Sequence, residues 1–398
     1  MKKIVRMTFV LCLFFLIQWN VNGQEKKAFE NAEAQTKLML KEIPTAKNLW
    51  TNKKTVPVSP RTLDKDSNLV LVPARDWTSG FFAGELWYLY EFTGKNEWKE
   101  KAQEFTAVME PEKMNGTTHD MGFKIYSTFG NGYRLTNDPH YREVIIQSAK
   151  TLATRFKPII GCIRSWDHSR DKWGCPVIID NMMNLELLFE ATKLTGDSSF
   201  YKIAVSHANT TMKNHFRADF SSYHVIDYDT ITGNVLKKNT HQGYSHESAW
   251  ARGQAWALYG FTMCYRETHD PKYLLQAENI AGFILNHKNL PTDLVPYWDF
   301  DAPNIPNEPR DASAAAVIAS ALFELSGYSA NGKSYKEKAE KIIRSLTQNY
   351  TAKPGGAHGF ILLHSTGSKP SDTEVDVPLN YADYYYLEAL IRSRKKPL

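Results

Sequence analysis

Apolar and polar positions along the chain follow the period of helices, and the helices fall into two kinds. Segments such as "YKEKAEKIIRSLTQNY" are charged on one face and apolar on the other, which predicts helices that bury one stripe and wet the opposite side. Segments such as "SGFFAGELWYLYEF" and "RGQAWALYGFTMCY" carry almost no charge and are rich in aromatic and small residues, the pattern of helices enclosed on all sides. Polar helices are expected to start near residues 29, 97, 138, 197, 270 and 333, and apolar ones near 78, 119, 178, 246, 311 and 377. One phrase recurs where an apolar helix gives way to a polar one: "YEFTGKNEWKEKA", "YRLTNDPHYREVI", "TKLTGDSSFYKIA", "YRETHDPKYLLQA" and a degenerate "LSGYSANGKSYKEKA". Each copy has a helix end, a tight turn containing Gly, Asn or Asp, and an aromatic residue opening an amphipathic helix. Twelve helices alternating in this way predict an all-α (α/α)6 barrel with the six apolar helices inside; an open superhelix is the competing architecture. The stretch "SYHVIDYDTITGNVLKKNTH" (222–241) departs from the helical period and alternates about a Thr-Gly turn. It reads as a small β-hairpin beside the barrel mouth, carrying His224. Its "DYDTITGN" lacks the ligand spacing and terminal Glu of a calcium loop.

Composition changes this picture at one end. Lys2, Lys3 and Arg6 precede the apolar run "MTFVLCLFFLIQW", and small Gly23 follows before Gln24. That is the pattern of a secretory signal peptide, residues 1–23, and its apolar run is too short to span a membrane. No later stretch is apolar for about 18 residues, so export to the periplasm without membrane insertion is expected. Cleavage removes three positive charges from a formal net charge of +5, leaving +2, and so small a charge gives no case for nucleic acid as a partner. The remaining Cys162, Cys175 and Cys264 are odd in number. Cys162 and Cys175 could pair in an oxidising compartment or stay as buried thiols, and no zinc-type spacing appears. No metal or other cofactor is expected. Residues 24–398 contain no linker, charge block or low-complexity tract and read as a single catalytic domain, monomeric or weakly dimeric. Aromatic residues make up 13 % of the chain, enough for a large core or a sugar-stacking cleft.

Candidate chemistry gathers at one rim. In a barrel of this kind the inner helices run roughly parallel, so their N-termini converge, and each bears a polar group: Asp76 with Trp77, His119 with Asp120, Asp180, His246, Arg310 with Asp311, and Asp376. For Asp180 in "VIIDNMMNL" the plain alternative is an N-cap. Six caps do not explain why His119, Trp77, Trp250 and Arg252 share that end. Asp120 and Asp180 open consecutive inner helices, which places them about 6–10 Å apart. Such a pair in an aromatic pocket suits sugar chemistry, one carboxyl protonated and one ionised. Trp77, Trp250 and Trp256 could stack on a pyranose or simply pack the core. Arg252 lies in an otherwise uncharged helix and needs an anionic partner, which a substrate carboxylate, Asp120 or Asp180 could supply. Gln242, Ser245 and His246 are polar groups in the loop that leads into that helix.

The blocks "WTSGFFAGELW", "HDMGF", "IDNMMNLELLFEAT", "SAWARGQAWALYGF" and "PRDASAAAVIASAL" together resemble the unsaturated glucuronyl hydrolases of glycoside hydrolase family 88, from about residue 30 to the C-terminus. The resemblance implies an (α/α)6 barrel that removes a 4,5-unsaturated uronic acid from the non-reducing end of oligosaccharides made by polysaccharide lyases. It implies that Asp180 is the general acid/base and Asp120 the second essential carboxylate. It places sugar contacts at Trp77, His119, His224, Gln242, Trp250, Arg252 and Trp256. A sulfate-contacting pattern of two serines and a lysine in some relatives falls on Ser365, Ser368 and Lys369 in "HSTGSKPSD", with the lysine one place closer than that pattern. The implied partner is a glycosaminoglycan fragment from chondroitin, dermatan, hyaluronan or heparin. Two readings compete: an unsaturated rhamnogalacturonyl hydrolase acting on pectin fragments, and a catalytically silent sugar-binding protein, which would have no need of both Asp120 and Asp180.

Overall fold

The computed structural model describes the backbone of residues 2–394 and the side chains from residue 23 onward, residue 24 apart. Of the leader expected over residues 1–23, residues 1–22 lie outside the residues described with side chains. Twelve α-helices follow one another among the described residues: α1 (Lys2–Asn48), α2 (Phe81–Thr93), α3 (Asn96–Ala107), α4 (Asn131–Thr136), α5 (Pro139–Ala153), α6 (Leu185–Thr195), α7 (Ser198–Asn214), α8 (Ala251–Thr268), α9 (Pro271–Asn286), α10 (Ala312–Leu325), α11 (Gly332–Asn349) and α12 (Asn380–Ser393). A π-helix, Gly122–Gly130, runs into α4, and a 3₁₀ segment, Ile179–Asn184, runs into α6.

The recurring phrase builds the joints. Gly94, Asn137, Gly196 and His269 end α2, α4, α6 and α8 in the left-handed conformation, each donating its N–H to the helix end, the closure that such residues favour. One residue on from Asn137, Gly196 and His269, Asp138, Asp197 and Asp270 cap α5, α7 and α9 by accepting from His140, Ser199 and Lys272 N–H. The aromatic of each copy, Trp98, Tyr141, Phe200, Tyr273 and Tyr335, turns inward and is buried. The fifth copy uses no left-handed residue at its helix end, Ser326 being right-handed.

The even-numbered helices form a closed inner ring. The helix α2 packs on the π-helix, the π-helix on α6, the 3₁₀ segment and α6 on α8, α8 on α10, α10 on α12, and α12 back on α2. The odd-numbered helices lie outside it, and their exposed faces carry the charge. The barrel expectation is met and the open superhelix is not. Among the described residues no helix is long and apolar enough to cross a membrane.

Nine short strands decorate the ring: β1 (Pro57–Leu63), β2 (Leu69–Pro73), β3 (Phe156–Lys157), β4 (Cys162–Ile163), β5 (Pro176–Ile178), β6 (Val225–Tyr228), β7 (Val235–Asn239), β8 (Ser365–Ser368) and β9 (Thr373–Val377). The expected hairpin is β6–β7, but it is not free-standing. The strand β5 adds to it antiparallel, with Ile178 opposite Val225, making a three-stranded sheet. Asp229 spends its carboxylate on the N–H groups of Ile231 and Thr232 in the hairpin turn, as befits a turn that is not a calcium loop. Cys162, Cys175 and Cys264 are buried free thiols, and burial raises the pKa of each.

Three expected helix starts move, the first because α1, expected from about residue 29, runs from Lys2. The helix α8 begins at Ala251, leaving His246 exposed in the preceding loop, where its Nδ1 accepts from Thr240 N–H. The helix α12 begins at Asn380, after Pro378, so Asp376 is an exposed strand residue beside His364 and caps nothing.

Candidate active site

The sheet brings Asp180 and His224 together. Ile179 N–H donates to His224 O at 3.0 Å, so the segment that leads from β5 into Asp180 is zipped to the residue just before β6. Asp180 does not cap its segment. Ile178 occupies that position without a side-chain cap bond, and Asp180 lies one residue inside the 3₁₀ turn, buried, with Oδ2 unpartnered among the described residues. Facing that oxygen, 3.6 Å away, is His224 Nε2, beyond hydrogen-bonding distance and also unpartnered. His224 Nδ1 accepts from the N–H groups of both His241 and Gln242 at 3.2 Å. The nitrogen that accepts is the bare one, so the proton sits on Nε2 and points toward Asp180. Burial, then His241 and Arg252, push the pKa of His224 well below its ordinary value, so the ring is neutral.

Asp120 has a different environment. His119 Nε2 lies 3.1 Å from its Oδ1 and Thr118 Oγ1 donates to its Oδ2 at 2.5 Å. Burial works to raise its pKa, but His119, Thr118 and the buried Lys124 outweigh burial and hold the carboxyl below the usual range. Burial dominates at Asp180 and pushes it up to about 6; His119 and Arg252 pull against the rise and the Asp120 charge adds to it. Two acids on neighbouring inner segments are thereby split, one ionised and one kept protonated into mildly acidic solution.

These segments touch at Gly122. A Cβ there would sit 2.7 Å from Asn184 Cα, and Asn184 Oδ1 accepts from Phe123 N–H in the same crossing. The close approach fixes the Asp120 and Asp180 segments against one another. Gly122→Ala is expected to destabilise the fold by about 1–3 kcal/mol through forced separation, read as a lower melting temperature together with a fall in kcat.

Arg252 is buried, and its partner is none of those expected within the protein. Nη1 donates to Asp311 Oδ2 at 3.1 Å and to Thr366 O, and Nη2 donates to Gly367 O at 2.7 Å. Asp120 and Asp180 make no ion pair with it. Asp311 is a true N-cap, accepting from Ser313 and Ala314 N–H, and it doubles as the anchor of the guanidinium. Arg252 Nε stays unpartnered among the described residues, and the guanidinium lies 4.6 Å from the Trp250 ring centroid and 5.4 Å from that of Tyr381.

The remaining expected residues divide. Trp250 is buried at the start of α8, its ring 4.4 Å from that of His224. Trp77 is half-buried and rests on Tyr381, Phe81 and Phe123. Trp256 is fully buried between Phe123 and Tyr385, with Nε1 unpartnered. Gln242 donates to Gly367 O at 3.0 Å, so β8 and the hairpin loop meet over Arg252. Ser365 is buried with its hydroxyl unpartnered. Ser368 turns to Ser371, and Lys369 lies half-buried in the β8–β9 turn. Ser245 is exposed. Among the described residues no cluster of His, Cys, Asp and Glu could hold a metal ion.

Two residues were not expected. Tyr381 is buried with its hydroxyl unpartnered, between Trp77 and Arg252. It opens the sixth inner helix, where the rule that found the other rim residues points once the helix start is placed correctly. Trp166 pairs through its backbone with Thr118, beside His119; it follows a short irregular strand that helical periodicity does not reveal. Asp180, His224, Arg252, Trp256, Ser365 and Tyr381 each keep a buried polar atom unpartnered among the described residues, the kind of group a polar ligand satisfies.

Comparison with known proteins agrees with this fold. The family model described as Glycosyl Hydrolase Family 88 matches residues 46–393. An unsaturated glucuronyl hydrolase of Formosa agariphila is 50 % identical over 99 % of both chains. An unsaturated chondroitin disaccharide hydrolase of Streptococcus pneumoniae is 34 % identical over 80 % of this chain and 82 % of its own. Among solved structures, an unsaturated glucuronyl hydrolase specific for heparin superposes with a TM-score of 0.87 at 47 % identity, covering 94 % of this chain and 97 % of the other. A mutant of the Streptococcus agalactiae enzyme complexed with dGlcA-GalNAc6S superposes with a TM-score of 0.76 at 30 % identity, covering 93 % and 91 %.

Proposed function

The chain belongs to glycoside hydrolase family 88, and from that premise we propose how its residues divide the work of an unsaturated glucuronyl hydrolase. Its activity is the hydrolytic release of a 4,5-unsaturated uronic acid from oligosaccharides left by polysaccharide lyases, within glycosaminoglycan degradation. The C4=C5 bond of that sugar is an enol ether. Protonated Asp180 delivers its proton to C4, and the ring oxygen stabilises the positive charge that develops at C5. The Asp180 carboxylate then takes a proton from water as the water oxygen bonds to C5. The resulting hemiketal opens, and collapse at C1 expels the remaining sugar. Ionised Asp120 faces the developing cation, and the His224 Nε2–H is directed at the Asp180 carboxyl from 3.6 Å. The observation that carries this assignment is the opposed environment of the two acids, Asp180 raised to about 6 and Asp120 lowered. The test is incubation with unsaturated disaccharides of different linkage and sulfation, following loss of the ultraviolet absorbance of the conjugated uronate. Unchanged absorbance with retained binding would favour the silent sugar-binding protein, and selective turnover of pectin fragments the rhamnogalacturonyl alternative.

Arg252 supports the uronate carboxylate through its unpartnered Nε–H, while Asp311 and two carbonyls hold Nη1 and Nη2. Arg252→Lys replaces a planar fork by a point charge and strands buried Asp311. It is expected to raise KM by about tenfold or more and to lower the melting temperature; an unchanged KM in steady-state kinetics would remove Arg252 from substrate binding. Ser365, Ser368 and Lys369, on the turn above Arg252, contact substituents of the second sugar. The leader pattern at residues 1–23 supports export of the mature enzyme to the periplasm, which cell fractionation with N-terminal sequencing tests.

A further inference from the structure

Residues 163–165 run between the segments that carry the two carboxylates, and every backbone polar group of the three is engaged. Ile163 N–H donates to His207 Nδ1 at 3.0 Å, and Asn181 Nδ2 donates to Ile163 O at 2.9 Å. Arg164 N–H donates to Arg155 O at 3.1 Å, and Arg155 Nε donates back to Arg164 O at 2.9 Å. Ser165 N–H donates to Pro176 O at 2.9 Å, and Ser165 O accepts from His119 N–H at 3.1 Å. The Ser165 hydroxyl oxygen accepts from Ile178 N–H at 2.9 Å. Buried Ser165 thus grips the backbone next to Asp120 and, with its side chain, the end of β5 just before Asp180. The same two segments meet again at Gly122 and Asn184. One pin precedes both acids in sequence and the other follows both, so Asp120 and Asp180 are bracketed.

Behind the first pin stands the outer helix α7. His207, Thr211 and His215 recur at four-residue spacing along it and its cap, and all three are fully buried. His207 Nδ1 accepts from Ile163, so its proton is on Nε2, which is unpartnered among the described residues. A buried unpaired donor is costly, and an apolar side chain would fill the place without that cost. What the imidazole contributes is the acceptor for Ile163. Burial, then His215 and His119, push the pKa of His207 down to about 3, so the acceptor persists through mildly acidic solution. His215 Nε2 donates to Val177 O at 3.1 Å and ties β5 to the same helix.

We propose that Ser165 and His207 are positioning residues for the hydrolase reaction, acting through Ile178 and Ile163 to set the spacing and burial of Asp180 against Asp120. The proposal rests on the hydrolase reading above and deepens it. Asp180 is faced by His224 at 3.6 Å and by His119, Arg252 and Asp120, and burial outweighs them all. A loosened pin admits water to Asp180, and its carboxyl falls toward the ordinary range. The alkaline limb of the rate profile falls with it.

Ser165→Ala removes the hydroxyl acceptor and keeps every backbone bond. On an unsulfated unsaturated disaccharide it is expected to lower kcat about tenfold and to change KM by less than about twofold. Its alkaline limb should move down by about half a pH unit. His207→Leu removes the acceptor for Ile163 and should give the same pattern. His207→Asn, whose side-chain oxygen can take the place of Nδ1, should return kcat and the limb to near native. A lower melting temperature with native kcat and unmoved limbs in Ser165→Ala and His207→Leu would make the roles purely structural and overturn the proposal. If His207→Leu does not fold, Ser165→Ala, which deletes a single oxygen, decides alone. The Asp180 pKa is also read without turnover, by nuclear magnetic resonance titration of the isotope-labelled carboxyl in the native protein and in Ser165→Ala; equal values would overturn the pin. Failure of the native enzyme to consume the disaccharide would instead overturn the hydrolase reading, on which that titration does not depend.

Discussion

Asp180→Asn is expected to lose at least about a hundredfold in kcat, since general acid–base catalysis is worth roughly 10²–10⁴ and one residue here serves both steps. The same variant should fold. An N-cap would tolerate the change because Asn caps as well as Asp, but Asp180 caps nothing; what it loses is a proton to give. Its stability should shift in a direction that only a raised acid explains. The folded-state pKa of about 6 exceeds the ordinary Asp value near 3.9, so the native state holds the proton more tightly than the unfolded chain. Stability is therefore lost as pH rises from about 4 to about 6 and stays lost above, by about 3 kcal/mol for a shift of this size. Removing the acid should cancel that loss. The melting temperature of Asp180→Asn at pH 8 should equal or exceed that of the native enzyme, with the gain disappearing below about pH 4. A calorimetric scan at the two pH values reads both ends.

The second large effect belongs to Asp120. Asp120→Asn should cost about 10² in kcat by removing the anion opposite the developing cation, and it should also move the pH profile. The native profile has an alkaline limb set by deprotonation of Asp180 near 6 and an acidic limb set by Asp120, below the usual carboxylate range. The two limbs report the pair jointly. The Asp120 charge is one of the influences raising Asp180, so its removal lowers the Asp180 pKa. The alkaline limb of the variant should then shift to lower pH and the acidic limb should vanish. A rate lost uniformly, with both limbs unmoved, would assign Asp120 a purely steric role.

Much of this was legible along the chain because the signals are local. The two helix types, the turn phrase with its left-handed residue and Asp cap, and the 222–241 hairpin are each written within about twenty residues. Asp120, Asp180 and Arg252 stood out because charge in an apolar helix conflicts with burial. What escaped was set by contacts between distant segments. Arg252 pairs with Asp311 because β8 and α10 arrive there, 59 residues away in the case of Asp311, and no spacing rule reaches that far. The hairpin that carries His224 is local in the sequence, but the pairing of β5 with β6 that buries His224 beside Asp180 is not. Asp376 and His246 were placed at helix starts by residue type alone, and the chain instead keeps Asp376 in a strand and His246 in a loop. Tyr381 was hidden by the same displacement, since a helix starting at Asn380 puts the tyrosine on the rim.

The account turns on where Asp180 sends its proton, and a substrate that cannot be cleaved at the glycosidic bond isolates that step. A carbon-linked analogue keeps the C4=C5 enol ether and replaces the glycosidic oxygen by carbon. In deuterated water the native enzyme should still consume its ultraviolet absorbance and place one deuterium at C4, read by nuclear magnetic resonance, while Asp180→Asn should leave the analogue intact. An analogue untouched by an enzyme that cleaves the oxygen-linked substrate would mean that protonation falls on the glycosidic oxygen, and the role assigned to Asp180 would be wrong.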